Sequence, residues 1–159
     1  MGIKHIKYSN MSENIKNKIE DKVIDCINLN VLGRLIILKS EKDDFGADLF
    51  VEKKGDYSKK GIYIKVNNFN GSPKNEEFLK GFSKKDFKSS ENFYLLFIVF
   101  DQVRQQIIDR IYFIPSLKFL SIAESAQPEK EEKLFKFEEF FFNKNDLGKI
   151  ILEKLSKKK

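Results

Sequence analysis

The chain has one cysteine, one histidine, three prolines and no tryptophan in 159 residues. The lone Cys26 excludes an intrachain disulfide framework and any zinc site built from several cysteines and histidines. The lone His5, with no evident partner, leaves no Ser-His-Asp triad and no multi-histidine metal cluster. No apolar run approaches the ~20 residues of a membrane-spanning helix; the longest clean one is 94–100. The opening Met-Gly-Ile-Lys-His-Ile-Lys lacks the apolar core of a signal peptide, so the expectation is a cytoplasmic protein with no membrane partner. No glycine-rich phosphate loop is present, which argues against an NTPase or a dinucleotide enzyme.

What is present is 41% hydrophobic and 13% aromatic residues, enough for a packed core. The length suits one domain, 1–159, with the lysine-rich end 154–159 expected to fray. The net charge of +6 comes from 27 Lys and only three Arg against 24 acids. Lys, Asn, Ile and Phe are abundant together, as an AT-rich coding sequence would make them, so the total says little about partners. Distribution says more. Residues 53–88 hold ten Lys and four acids, and residues 149–159 hold five Lys and one Glu.

Hydrophobic periodicity predicts a helix over 12–30, with Ser12 as N-cap and Ile15, Ile19, Val23, Cys26 and Ile27 on one face, stopped near Gly33. Strands are predicted at 34–39, 47–53 and 61–67, the last two alternating. A loop with Gly71, Ser72 and Pro73 precedes a short helix over 76–88. Residues 93–101 form a continuous apolar strand buried on both faces. A strand over 107–115 ends at Pro115, and Ser116 caps a helix to about 124. The span 130–142 is amphipathic, and its Phe-rich end suits a strand. Asn145 is placed to cap a last helix with Leu147, Ile150, Ile151 and Leu155 inward. The order gives an α/β or α+β fold, a central mixed β-sheet flanked by helices.

Chemistry concentrates in residues 43–68. A turn centred on Asp56 and Tyr57 would set Asp48 opposite Lys65 in an antiparallel pair, with Cβ atoms about 5 Å apart. A carboxylate beside an ammonium can hold a cation and neutralise charge developing on a phosphoryl group. The same pair is also an ordinary cross-strand salt bridge.

The run Asp44-Phe45-Gly46-Ala47-Asp48, a hairpin, and Ile62-Tyr63-Ile64-Lys65 resemble the restriction-endonuclease-like, PD-(D/E)XK nuclease superfamily. The likeness extends over about 12–120 and takes in the helix carrying Glu20, the apolar strand 93–100 and the strand end Tyr112-Phe113-Ile114-Pro115-Ser116. It implies a restriction-endonuclease-like core and a metal-dependent DNA endonuclease using weakly bound Mg²⁺ or Mn²⁺. Carried over, Asp48 is the metal-binding acid and Lys65 the catalytic lysine. The Ile64 carbonyl is a further ligand, and Glu20 is the helix acid. Glu20 lies about 20° from Ile27 on a helical wheel, at the core edge; Glu13, one heptad earlier, is its rival. The sequence departs from the pattern at Tyr63, where the second strand acid belongs, since a phenol is a poor Mg²⁺ ligand at neutral pH. Glu52 lies roughly 13 Å along the strand, too far to replace it.

Lys59, Lys60, Asn67 and Lys74 surround Lys65 in sequence and would meet nucleic-acid phosphates, although in a Lys-biased chain the lysines also read as solvated surface. Three functions follow: a metal-dependent phosphodiesterase on DNA, a non-cleaving relative that binds nucleic acid, or a fold retained for a protein partner or a homodimer. Glu20, Asp48 and Lys65 together speak for the first, and Tyr63 against it.

Overall fold

The computed structural model describes residues 13–40, 46–55, 61–68, 88–125 and 137–157. The described residues form an α+β structure around a six-stranded mixed sheet. In chain order the elements are α1 (Glu13–Asn28), β1 (Leu35–Lys39), β2 (Leu49–Lys53), β3 (Ile62–Asn68), β4 (Phe93–Ile98), β5 (Phe100–Asp101) and β6 (Gln106–Ile107). There follow β7 (Arg110–Pro115), α2 (Ser116–Ser125), β8 (Phe141–Asn143), a 3-10 turn (Lys144–Asp146) and α3 (Leu147–Lys157). The sheet order is β1-β2-β3-β4-β7-β8, and β5 and β6 form a separate ribbon. Only β3 and β4 run parallel; every other neighbouring pair is antiparallel.

Two apolar layers flank the sheet, and the strand alternation sorts residues between them. Tyr94, Leu96 and Ile98 of β4 face the layer built with Ile19, Val23 and Ile27 of α1 and Ile151 and Leu155 of α3. Phe93, Leu95 and Phe97 face the other, with Phe119 and Ile122 of α2 and Phe137. All six residues of β4 are buried, as the unbroken apolar run predicts for a central strand covered on both sides.

The sequence boundaries need correction at several points. First, the predicted strand 93–101 divides. β4 stops at Ile98, and the Asn68 side-chain oxygen takes the Phe100 N–H at 2.9 Å, so the chain can leave the sheet and turn into β5. Second, the predicted strand 107–115 divides likewise, because Ile107 pairs with Phe100 in the ribbon rather than with β4. Third, Asn143, not Asn145, is the cap: its side chain accepts the Asn145 N–H, and the helix proper begins at Leu147 after the 3-10 turn. Helix α3 runs as far as Lys157, and Leu155 packs in the core one turn after Ile151.

Helix α1 stops at Asn28, two residues short of expectation. The chain then reverses through left-handed Asn30, Leu32 and Gly33, with φ of 67°, 53° and 70°. Val31 is fully buried between them and pins the turn to the core. The described residues contain no helix long and apolar enough to cross a membrane. The predicted Ser12 cap, the loop at 71–73 and the predicted helix 76–88 up to residue 87 lie outside the described residues.

Candidate functional site

The β2–β3 ladder pairs Leu49 with Ile64, Phe50 with Tyr63 and Val51 with Ile62. Continued by one residue, that register sets Asp48 opposite Lys65. The ladder ends before that step, however. The Asp48 N–H donates to the Ile64 carbonyl at 2.8 Å, and its carboxylate Oδ2 accepts the Val66 N–H at 2.7 Å. The side chain has turned into the plane of the sheet and takes a donor that a β2 carbonyl would otherwise meet. Ile64, a predicted ligand through its carbonyl, therefore already accepts one hydrogen bond, leaving one lone pair for a cation.

Lys65 does not reach across to form the simple cross-strand ion pair. Its Nζ donates to the Gly46 carbonyl at 3.4 Å, two residues ahead of Asp48. Asp48 Oδ1 instead faces Lys16 of α1 at 3.8 Å. The Asp48 side chain is only 13% exposed, against 62% for Lys16, so the carboxylate sits inward and the ammonium covers it from the solvent side.

Glu20 lies on the same helix, one turn after Lys16. It is buried, whereas its rival Glu13 is exposed. Burial pushes its carboxyl above the ordinary carboxylate range, and the negative charge of Asp48 pushes it further; Lys16 and Lys39 pull the other way. Two carboxylates from distant parts of the sequence therefore share one electrostatic environment at the end of β2, with two lysines around them. Lys39 is held by Asp21 at 2.7 Å. Sequence reasoning missed Lys16 and Lys39. The available signal for Lys16 was its position four residues before Glu20 on the same helical face; Lys39 had none.

Tyr63 occupies the position where the nuclease pattern carries its second strand acid. Its ring lies 4.8 Å from that of Phe50 and 6.4 Å from that of Phe93, in the aromatic layer on the α2 side of the sheet. The residue belongs to the packing of that layer. Asn67, two residues beyond Lys65 on the same face of β3, has its side-chain Nδ2 buried with no hydrogen-bond partner among the described residues. Lys59, Lys60 and Lys74, predicted to meet phosphates, lie outside the described residues, as do Asp43 and Asp44.

Among the described residues no group of three or more His, Cys, Asp or Glu side chains is placed to hold a metal ion. What the structure offers a cation is the pair Glu20 and Asp48. The pair fits that role in one respect: a raised carboxyl beside a second carboxylate is relieved by a positive charge between them. No family model, no curated protein and no solved structure matches the chain.

Proposed function

We propose that the protein is a metal-dependent phosphodiesterase acting on DNA, built on a restriction-endonuclease-like core and working in the cytoplasm. The observation that supports this reading is that buried Glu20 lies within electrostatic reach of Asp48, whose carboxylate is turned inward at the start of β2. A helix acid and a strand-end acid, 28 residues apart in sequence, are held close enough for one to raise the other's pKa. Keeping two largely buried carboxylates near each other costs stability unless something is gained from them.

In this reading Glu20 and Asp48 hold Mg²⁺ or Mn²⁺, with the Ile64 carbonyl as a further oxygen and the substrate phosphate completing the shell. Such an ion polarises a phosphoryl oxygen and lowers the pKa of a bound water. The Lys65 ammonium, lodged beside Gly46, neutralises charge that develops on the phosphate. Lys59, Lys60 and Lys74 would add salt-dependent contacts to the DNA backbone.

A second reading is favoured by Tyr63. Its ring is committed to Phe50 and Phe93, so the strand supplies no second acid, and a site with two carboxylates holds a divalent ion weakly. In that case the fold binds nucleic acid, or a protein partner, without cleaving.

A nuclease assay with Mg²⁺ and with Mn²⁺ on linear, circular and single-stranded DNA, run beside Lys65→Ala, separates the two. Cleavage that falls at least a hundredfold in Lys65→Ala supports the first reading. Cleavage indifferent to that substitution removes the assignment. Salt-sensitive binding without cleavage supports the second reading, and absence of both leaves the protein-partner alternative.

A further inference from the structure

We infer that the cleft between the α1–β1 turn and α3 binds a phosphate-bearing ligand. The cleft has a volume of about 460 Å³, within the roughly 300–1,000 Å³ of small-ligand pockets. Asn30 and Arg34 form one wall. Lys149, Glu153 and Lys157 on one face of α3 form the other, with Leu152 and Ser156 between them. Three cations thus face one carboxylate. Lys53 brings a fourth cation to the rim, its Nζ lying 3.5 Å from Ser156 Oγ. Among the described residues Glu153 forms no ion pair with Lys149 or Lys157, although each is four residues away along the helix. The cleft therefore carries a net positive charge, which favours an anionic ligand.

Arg34 is one of three arginines in a chain of 27 lysines. Its Nε donates to the Val31 carbonyl at 3.3 Å, which orients the planar fork that suits phosphate. Asn30 and Ser156 supply neutral hydrogen-bonding groups beside it. Helix dipoles explain part of this charge, since cations are favoured at helix C-termini and both α1 and the last turn of α3 end here. They do not explain Lys149, which sits in the first turn of α3, where that helix's own dipole disfavours a cation.

The cleft is separate from the carboxylate site. Strand β1 runs between them: Ser40 at one end donates to the Asp48 carbonyl, and Arg34 at the other accepts from Lys54. Six residues of extended chain put the two ends roughly 20 Å apart. The inference therefore stands independently of the nuclease reading. Its ligand chemistry is a phosphate ester, from either a free nucleotide or a nucleic-acid strand.

The test is an amide-resolved NMR titration of the full chain with inorganic phosphate, with deoxyadenosine monophosphate and with a short single-stranded oligodeoxythymidylate. The expected result is that amides of residues 30–34 and 149–157 shift, and that Arg34→Gln and Lys149→Gln each weaken binding about tenfold. Glu153→Gln, which removes the one carboxylate, strengthens binding a few-fold and cannot be mistaken for misfolding. Tighter binding of the oligonucleotide than of the monophosphate assigns the cleft to a strand, and equal binding assigns it to a free nucleotide; both uphold the inference. Silence of these amides toward all three probes overturns it, as does unchanged affinity in both Arg34→Gln and Lys149→Gln. DNA binding that is lost in Lys65→Ala but kept in the cleft variants overturns the cleft while leaving the nuclease reading intact.

Discussion

The Asp48 carboxylate accepts the Val66 backbone N–H at 2.7 Å, at the point where β2 stops pairing with β3. A side-chain oxygen substitutes there for the strand carbonyl that the ladder no longer supplies, so folding itself fixes where the carboxylate sits. Asp48→Ala should cost about 1–3 kcal/mol in urea unfolding, because it strands a part-buried donor. Asp48→Asn keeps an oxygen for Val66 and should recover most of that loss, while removing the charge that the proposed cation would need. Equal destabilisation by both substitutions would mean that the hydrogen bond is not what matters at this position.

Glu20 supplies a prediction in pH. Burial, and then the charge of Asp48, raise its carboxyl above the ordinary value of 4.5. The folded protein therefore holds this proton more tightly than the unfolded chain does. The stabilisation linked to that proton is complete below the unfolded value and is lost as pH rises through the raised folded value. Glu20→Gln removes the titration, so its stability should fall less between about pH 4 and neutrality, and at neutral pH it should exceed that of the unsubstituted protein. Denaturation midpoints measured across this range for both proteins give the check, and parallel curves would count against a raised Glu20. If the proposed nuclease reading holds, Glu20→Gln would lose cleavage while gaining stability, the expected signature of a residue kept for chemistry.

Tyr63 separates packing from chemistry. Its ring packs with Phe50 and Phe93, so Tyr63→Phe should preserve both stability and any DNA cleavage or binding. Tyr63→Glu would place the nuclease-pattern acid on β3 at the expense of an aromatic contact and a partly buried charge, about 2–4 kcal/mol together. A large loss of activity in Tyr63→Phe, with stability unchanged, would show that the phenol itself takes part.

The parts of this architecture legible in the sequence are those written in periodicity. The face of α1 that buries Ile19, Val23 and Ile27 is readable there, as are the doubly buried β4 and the antiparallel pairing of β2 with β3. Strand termini were not, because tertiary hydrogen bonds decide them. Asn68 ends β4 by taking the Phe100 N–H, and Asp48 ends the β2–β3 ladder by taking that of Val66. Neither leaves a local signal in composition. The site was half legible for a related reason. Glu20 could be placed at a core edge from the helical wheel, but the partner of Asp48 could not be chosen. Lys65 was the nearest lysine by strand register, whereas Lys16 arrives from a helix 32 residues away in sequence.

The distance between α1 and α3 is set by the absence of a side chain at Gly148. A Cβ there would run into the Ile27 carbonyl and lie 2.9 Å from Val31 Cγ1, and the first of these obstacles is backbone that cannot rotate aside. Gly148→Ala should therefore destabilise by about 1–3 kcal/mol as an overpacked contact. Because Lys149 follows directly, displacing α3 should also pull one basic wall away from Arg34 and weaken phosphate binding in the cleft. Gly55→Ala is the control. At Gly55 φ is +82° with nothing within 4 Å of the added carbon, so only the conformational cost applies, roughly 1–2 kcal/mol. That variant should lose stability without any change in ligand affinity. If both variants left affinity untouched, the separation of the two helices would not be what shapes the cleft.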